Sequence, residues 1–472
     1  MMYSSRDTWG KMFNELKKCK SIREIYETMG LEKLEKPAYL ILCLWALLPV
    51  WSIWAHIFWG LRMDFSDART QFVWASYRDS MLLLGEVTWI FLFVYIVGLI
   101  VLKRMSWKQL LIRSPWNLCF LAMLLWAIPA TLLAKDPSLA FWGSDYRYEG
   151  LFTYFMYAGI FCLAQIVKRR TYRFGYFRIF VLVACLLSVG VILQDAGVPG
   201  VSEVFYVVRA TVFFQFNHMG YYLCMSTLCA MGLVVLEDSA VWRGIMAAAA
   251  FLQMYALLVN STLGGYLGVL VGLVALMIFT CIRSRTQVDG RLRRRALWVT
   301  VAIFIVTTLM SYGGLVPTSS GENMQVNLET MFSDTADLAA GEGDMAGHGR
   351  MTLWKTGLQM IPKHPMFGFG PEHMDEELMA TIWNDRIDNE FIQYAISLGI
   401  PGALFYLVGL FLLAFARAKN LKQLSPEVIL SAVCVFGYLC SSCLGNSMFY
   451  TMPYFLIFLG MVGSTGDVEK TC

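Results

Sequence analysis

The chain alternates between long apolar runs and short polar connections. Many of the runs reach roughly 20 residues, which is the length at which a helix crosses a ~30 Å hydrocarbon core. Twelve runs start near residues 38, 81, 116, 151, 178, 209, 244, 262, 296, 397, 427 and 450. This pattern predicts an all-α, polytopic integral membrane helical bundle with about 12 transmembrane helices.

The composition supports this class. Of the 472 residues, 57% are hydrophobic and 15% are charged, whereas about a quarter of the residues in a soluble protein are charged. The net charge is only +4, and no basic stretch is interleaved with aromatic residues, which argues against nucleic acid as a partner. Most of the twelve cysteines lie within apolar runs, so we interpret them as small apolar side chains and expect neither a metal site nor a cofactor.

Basic residues concentrate in alternate connections between the runs. By the positive-inside rule, both termini are then cytoplasmic, with residues 1–36 and 466–472 on that side of a transmembrane region over residues 37–465. The four basic connections contain Lys103, Arg104, Lys108 and Arg113; Lys168, Arg169, Arg170, Arg173 and Arg178; Arg283, Arg285, Arg291, Arg293, Arg294 and Arg295; and Arg417, Lys419 and Lys422.

The N-terminal segment has a helical pattern of its own. Trp9, Met12, Phe13 and Leu16 recur at helical spacing. The pattern fits either a short helix that lies on the membrane surface or a solvated tail.

One large external loop is predicted over residues 317–396. It has thirteen acidic residues against four basic ones. Its first third is rich in Gly, Ser and Asp and predicts irregular structure. RMTLWKTGLQMI then predicts a helix, HPMFGFGP ends it, and MDEELMATIW predicts another. Because loops on a rigid scaffold tend to carry sites, we expect the function here.

Arg350 opens the first helix predicted in that loop. The unpaired N–H groups of a helix start attract anions, and a guanidinium can bind two oxygens at once, so this position suits a phosphate. An ion pair with one of the acids of the loop is the other interpretation.

Two further motifs place polar residues near the external membrane face. FFQFNHMGYYL, residues 213–223, puts Asn217 and His218 in an apolar run just after Arg209. They either recognise hydroxyl groups or bond to a neighbouring helix. In WGSDYRYEG, residues 142–150, Trp142 and Tyr146 suit either an interfacial aromatic belt or stacking on sugar rings.

The charged stretch RIDNEFIQY, residues 386–394, precedes an apolar run. Arg386 and Glu390 share a helix face and predict an intrahelical pair. Asp388 is then left without an obvious local partner. A carboxylate at a partly dehydrated helix mouth is expected to have a raised pKa, which suits a general base.

The chain has no GxxxxGK[ST], so ATP is not the expected energy source.

The four motifs, in this order within a twelve-span frame, resemble the O-antigen ligase/polymerase superfamily of membrane glycosyltransferases. They are WGSDYRYEG, FFQFNHMGYYL, GRMTLWKTGLQMIPKHPMFGFGPEHM and RIDNEFIQYAISLGIPG. The resemblance implies transfer of a glycan from undecaprenyl diphosphate to a lipid, glycan or protein acceptor at the outer face of the cytoplasmic membrane. It implies inversion at the anomeric carbon without nucleotide sugar or metal, by a surface polysaccharide ligase or polymerase.

The resemblance also implies roles for individual residues. Arg350, Arg147 and Arg209 hold the diphosphate. Asp388 acts as the base, with Asn389 orienting the acceptor and His373 as the alternative base. Trp142, Tyr146, Asn217 and His218 bind glycan or acceptor.

The chain departs from the family pattern at two positions. Asp388-Asn389 stands where many members have His-Asn, and Ser261 is followed by Thr262 and Leu263 where many members carry an arginine.

A transporter or flippase of lipid-linked or amphiphilic solutes is the alternative function, because twelve spans with both termini inside is also a layout of transporters.

Overall fold

The computed structural model describes residues 17–60, 68–104, 114–144, 147–201, 209–213, 215–284, 290–316, 318, 324–340, 349–382 and 386–464. The regular structure in these ranges is helical. The α-helices are α1 Ile22–Met29, α2 Glu35–Gly60, α3 Ala68–Val101, α4 Pro115–Leu132, α5 Pro137–Trp142, α6 Leu151–Ile166, α7 Arg170–Asp195, α8 Phe216–Leu236, α9 Ala240–Asn260, α10 Leu263–Ser284, α11 Gly290–Tyr312, α12 Met324–Ala340, α13 Arg350–Met360, α14 Glu376–Ile382, α15 Glu390–Lys419, α16 Pro426–Ser442 and α17 Met452–Gly463.

Across these described ranges, nine helices are long and apolar enough to cross a membrane. Three shorter apolar helices, α6, α16 and α17, bring the set to twelve. Each of the twelve apolar runs corresponds to one of these helices. The prediction of a polytopic helical membrane protein is therefore confirmed.

Helix α8 lies at the centre of the bundle. It is buried from His218 to Leu236, and it packs against α9, α10 and α16. Its N-terminal turn, which carries Asn217 and His218, is thereby held among the ends of these helices. The two polar residues lie at the start of the helix, and not inside a span that begins near 209 as predicted.

Helix α15 begins earlier than predicted and is broken. It starts at Glu390, so most of RIDNEFIQY belongs to the helix, whereas the apolar run predicted a start near 397. Gly399 has φ 72° and ψ 176°, which is not helical, and Pro401 follows. The helix therefore consists of a short first half and a longer second half.

The FGFG loop, residues 365–370, docks on this break through its backbone. Gly368 and Gly399 both have positive φ, and a Cβ atom at either position would lie 2.3 Å from a backbone oxygen of the other segment. Only glycine allows this approach. Three backbone hydrogen bonds join the segments, from Phe369 N–H to Ile396 at 2.8 Å, from Gly370 N–H to Ser397 at 3.0 Å and from Ile400 N–H to Pro365 at 2.8 Å.

The external loop is more helical than its composition indicated. Helix α12 occupies Met324–Ala340, where the sequence predicted irregular structure. Met324 and Leu328 are buried in the main apolar core, which explains why this polar segment forms an ordered helix. The helices predicted over RMTLWKTGLQMI and MDEELMATIW are confirmed as α13 and α14.

At the N-terminus, Tyr26 of α1 donates a hydrogen bond from its hydroxyl to the carbonyl of Val94 at 2.8 Å. This bond ties α1 to α3. The residues of the predicted surface helix, Trp9, Met12, Phe13 and Leu16, lie outside the described residues.

Candidate functional site

A cavity of about 290 Å³ lies beside Arg350, among the ends of α8, α9, α10 and α13. It is lined by Phe216, Asn217, Ser261, Thr262, Leu263, Asn327 and Arg350. These seven residues supply one guanidinium, two amides and two hydroxyls, with no carboxylate among them. The structure thus brings the predicted Arg350 and Asn217 to one cavity whose chemistry suits an anion that carries hydroxyl groups.

Local backbone geometry positions these side chains. Gly349 precedes α13 in a left-handed conformation, with φ 82°, and sets Arg350 as the first helical residue. Ser261 ends α9 with φ 62°, and its carbonyl accepts a hydrogen bond from Asn327 Nδ2 at 2.7 Å. The helix α12 that carries Asn327 therefore forms one wall of the cavity.

Arg209 lies behind this cavity and is not one of its lining residues. Its carbonyl accepts a hydrogen bond from Asn260 Nδ2 at 2.9 Å, and its guanidinium lies 5.7 Å from the ring centroid of Phe216. Its Nε is 4.0 Å from a carboxylate oxygen of Asp195. The buried guanidinium and the Asp195 carboxylate therefore lie together behind the cavity wall.

Arg147 and His218 form a neighbouring buried region. Arg147 Nη1 lies 3.7 Å from the sulfur of Met448, and its charge interacts with His218. The His218 ring packs against Tyr221 and Tyr450 at 5.9 and 6.1 Å between ring centroids. The predicted Arg147 and His218 are thus brought together.

Asp388 is held from two sides. Its Oδ1 accepts a hydrogen bond from Asn446 Nδ2 at 2.8 Å, and its carbonyl accepts one from Trp354 Nε1 at 3.2 Å. The partner Asn446, which local sequence did not indicate, lies in the connection between α16 and α17.

Asn389 is engaged in structure at both ends of its amide. Its Oδ1 accepts from the N–H groups of Phe391 and Ile392, each at 3.1 Å, and caps α15. Its Nδ2 donates to the carbonyl of Cys443 at 3.0 Å. The side chain predicted to orient an acceptor therefore also fixes the start of α15 next to Asp388.

The predicted intrahelical pair of Arg386 and Glu390 is wrong. Arg386 precedes the helix, and its Nη2 donates to Glu372 at 2.7 Å. Glu390 is the first residue of α15 and accepts from the hydroxyls of Tyr406 at 2.7 Å and Tyr438 at 3.2 Å. The pairing fails because Arg386 and Glu390 share a helix face only if the helix begins before Arg386.

His373 has contacts at both ring nitrogens. Its Nε2 accepts from the N–H of Asp136 at 3.2 Å, and its Nδ1 lies 2.9 Å from the carbonyl of Pro371. A neutral ring that carries its proton on Nδ1 satisfies both bonds. In this arrangement His373 joins the FGFG loop region to the start of α5.

Of the two predicted aromatic ligands, Trp142 ends α5 and is 59% exposed. Its ring packs against Phe141 and Phe152, and its open face remains available to a ligand or to lipid. Tyr146 lies outside the described residues.

A second polar group surrounds Glu149, in the connection between α5 and α6. The pKa of Glu149 is raised to about 8, mainly by burial; a hydrogen bond from the Tyr157 hydroxyl at 2.5 Å opposes the shift, and the nearby Glu372 carboxylate adds to it. A carboxyl group in this state holds its proton near neutral pH.

Comparison with known families gives one match. Residues 248–407 match the family model described as O-antigen ligase. The matched region contains Ser261, Arg350, His373 and Asp388, whereas the motif around Arg147 lies before it. Among curated proteins no match was found.

Proposed function

We propose that the chain is a member of the O-antigen ligase/polymerase superfamily, which the match over residues 248–407 supports, and that it transfers a glycan from a polyprenyl-diphosphate carrier to an acceptor at the outer face of the cytoplasmic membrane. The family indicates an O-antigen ligase-type function in surface polysaccharide assembly. The proposal covers a ligase, which joins the glycan to a lipid or protein, and a polymerase, which joins it to another glycan.

The observation that carries the proposal is the cavity beside Arg350. One arginine, two asparagines and two hydroxyl-bearing residues are among those that line a space of about 290 Å³, and α13 joins this space to Asp388 through Trp354. A phosphate with an attached sugar requires this combination, namely a fixed cation for the oxygens and neutral donors and acceptors for the hydroxyls.

In the proposed reaction, the acceptor hydroxyl attacks the anomeric carbon. The carboxylate of Asp388 takes the proton of that hydroxyl as the new carbon–oxygen bond forms. The bond between the anomeric carbon and the carrier diphosphate breaks, and its electron pair leaves with the diphosphate. Arg350, with Arg147 and Arg209 in support, stabilises the negative charge that develops on the leaving group. Attack opposite to the leaving group inverts the anomeric carbon.

The charge distribution of the chain supports an external site. The cavity lies where α8 and α10 begin and α9 ends. The basic connection between α10 and α11 follows the opposite end of α10. By the positive-inside rule the basic end is cytoplasmic, so the cavity is external and both termini are inside.

The test is turnover in proteoliposomes. The purified full chain is reconstituted with lipid-linked glycan extracted from a host that lacks the native gene, together with acceptor extracted from the same envelope. Arg350→Ala and Asp388→Asn are compared with two matched controls, Lys355→Ala on the exposed face of α13 and Glu377→Gln on the exposed face of α14.

We expect the wild-type chain and both controls to consume the donor and form conjugate or polymer. Arg350→Ala and Asp388→Asn are expected to lower the rate by about 100-fold or more. Wild-type activity in both site variants would refute the residue assignment. If the donor crosses the bilayer without being consumed, the protein is a transporter and the proposal fails.

A further inference from the structure

Glu372 joins two parts of the chain that carry proposed site residues. Its carboxylate accepts hydrogen bonds from Arg386 Nη2 at 2.7 Å, from the Ser144 hydroxyl at 3.2 Å and from the N–H of Glu149 at 2.6 Å. The side chains of Arg386 and Glu372 are 7% and 4% exposed. Burial of an ion pair has a desolvation cost that apolar side chains would avoid, so this pair points to a role other than stability.

On one side, the Glu372 carboxylate fixes the backbone around Arg147. Ser144 and Glu149 lie on either side of Arg147 in the chain, and both donate to Glu372. The N–H of Arg147 itself donates to the Ser144 hydroxyl at 3.1 Å. Tyr148, between Arg147 and Glu149, has φ 52°, a conformation that costs energy for a residue other than glycine.

On the other side, the same carboxylate fixes the segment that leads to Asp388. Arg386 precedes Asp388 by two residues, and among the described residues it forms an ion pair with Glu372. Asp388 and Glu372 both have positive φ, 51° and 65°. Such backbone persists only where surrounding contacts hold it, and Glu372 supplies those contacts to both segments.

We propose that Glu372 is a positioning residue, which sets the place of Arg147 relative to Asp388 during glycan transfer. The inference rests on the proposed function. In that reaction the Arg147 guanidinium helps to stabilise the leaving diphosphate, and the Asp388 carboxylate deprotonates the attacking hydroxyl. The two groups must therefore act on opposite sides of the anomeric carbon. A displacement of about 1 Å in such an arrangement can lower the rate by about 100-fold.

The experiment measures kcat and KM in the same proteoliposomes, with the extracted lipid-linked glycan as the donor. Glu372→Gln removes the charge that holds Arg386 but keeps the shape of the side chain. Ser144→Ala removes one hydroxyl on the Arg147 side and leaves the ion pair intact. Arg386→Gln, the double variant Glu372→Gln/Arg386→Gln and the exposed control Glu377→Gln complete the set.

We expect Glu372→Gln to lower kcat by at least about tenfold and Ser144→Ala by about threefold, with the donor KM changed by less than about threefold. Glu377→Gln is expected to behave like the wild-type chain. Because Glu372 acts through Arg386, the double variant is expected to lose no more activity than Glu372→Gln alone.

Several outcomes would overturn the inference. A wild-type kcat in Glu372→Gln would do so, and so would losses that multiply in the double variant. A merely structural role would reduce the yield of monodisperse protein and leave the kcat of the folded fraction unchanged. If the ion-pair variants do not fold, a wild-type kcat in Ser144→Ala decides against the inference. Absence of turnover in the wild-type chain overturns the proposed function as well, which distinguishes the two failures.

Discussion

Trp354 donates a hydrogen bond from its indole Nε1 to the backbone carbonyl of Asp388 at 3.2 Å. Trp354 lies one helical turn after Arg350 on α13, so a single short helix carries both the cation at the cavity and the contact to Asp388. The ring also packs beside a small apolar cluster formed by Met360, Ile387 and Ile396. This cluster and the hydrogen bond join α13 to the start of α15.

Trp354→Phe tests that relationship. Phenylalanine keeps an aromatic ring in the apolar cluster but has no N–H group to donate. We expect the transfer rate to fall by about tenfold because Asp388 loses one of its constraints, while stability falls by only about 1 kcal/mol. The measurements are turnover in proteoliposomes and thermal unfolding. Trp298→Phe, at a ring that is 64% exposed on α11, is the control, and equal effects in both variants would contradict the prediction.

Asn446→Asp tests the second constraint on Asp388. The substitution replaces the amide donor at 2.8 Å from Asp388 Oδ1 with a carboxylate. Two carboxylates at this distance repel each other, and one of them takes up a proton. We expect the transfer rate to fall by about 100-fold. Asn420→Asp, at the end of α15 in the predicted cytoplasmic region, provides a matched control with the same charge change. An active Asn446→Asp variant would show that Asp388 does not need this partner.

Gly399→Ala tests the docking of the FGFG loop on the broken helix. A Cβ atom at position 399 would lie 2.3 Å from the carbonyl oxygen of Met366, and φ is 72°. We expect a loss of at least about 2 kcal/mol in stability and a marked fall in the amount of folded protein in the membrane. Gly244→Ala, in α9, has no atom within 4 Å of the added Cβ, so its stability is expected to equal or exceed that of the wild-type chain. Equal yields of Gly399→Ala and wild type would contradict the docking geometry.

Glu149→Gln tests the buried carboxyl group through its pH dependence. The folded-state pKa is raised from 4.5 to about 8, mainly by burial. Between these values the unfolded state loses a proton that the folded state keeps, so stability falls as the pH rises through this window. The change is at most roughly 5 kcal/mol. We expect the thermal midpoint of the wild-type chain to fall from about pH 5 to pH 8.

In Glu149→Gln the amide cannot ionise, yet it still accepts the hydrogen bond from Tyr157. We therefore expect a flatter profile and a higher thermal midpoint than in the wild-type chain at about pH 8.5. The exposed Glu377→Gln variant is expected to retain the wild-type profile. A profile of Glu149→Gln that parallels the wild-type one would show that another group causes the pH dependence.

The span pattern and the start of α13 could be predicted because both depend on local chemistry. Apolar runs of sufficient length define membrane helices, and RMTLWKTGLQMI has the periodicity of a helix with Arg350 at its start. The meeting of Asn217 and Arg350 at one cavity followed from no local pattern, because α8 and α13 are joined by more than a hundred residues of chain. The resemblance to a family indicated that the two motifs belong to one site. The structure shows that Asn217 and Arg350 line the same cavity.

The partners of Arg386 and Asp388 could not be predicted for a different reason. Arg386 pairs with Glu372, and the pairing depends on a left-handed turn at Glu372 that no propensity favours for glutamate. Asn446 lies between two short apolar helices, where a single amide hardly alters the hydropathy of the stretch. Helix α12 was not predicted because its sequence contains many polar residues, although Met324 and Leu328 in its first turns are buried in the core.

The broken helix has a consequence for comparing and recombining this chain with proteins that match the same family model. Three backbone hydrogen bonds and two glycines join residues 365–370 to residues 396–400, so the end of the external loop and the first half of α15 form one exchangeable cassette. A chimaera that takes only the loop from a relative would place a foreign loop against residues 396–400, which pack closely against residues 365–370 of this chain. A chimaera that takes residues 365–400 as a block keeps that fit, and it exchanges the positions of Glu372, Arg386 and Asp388 together.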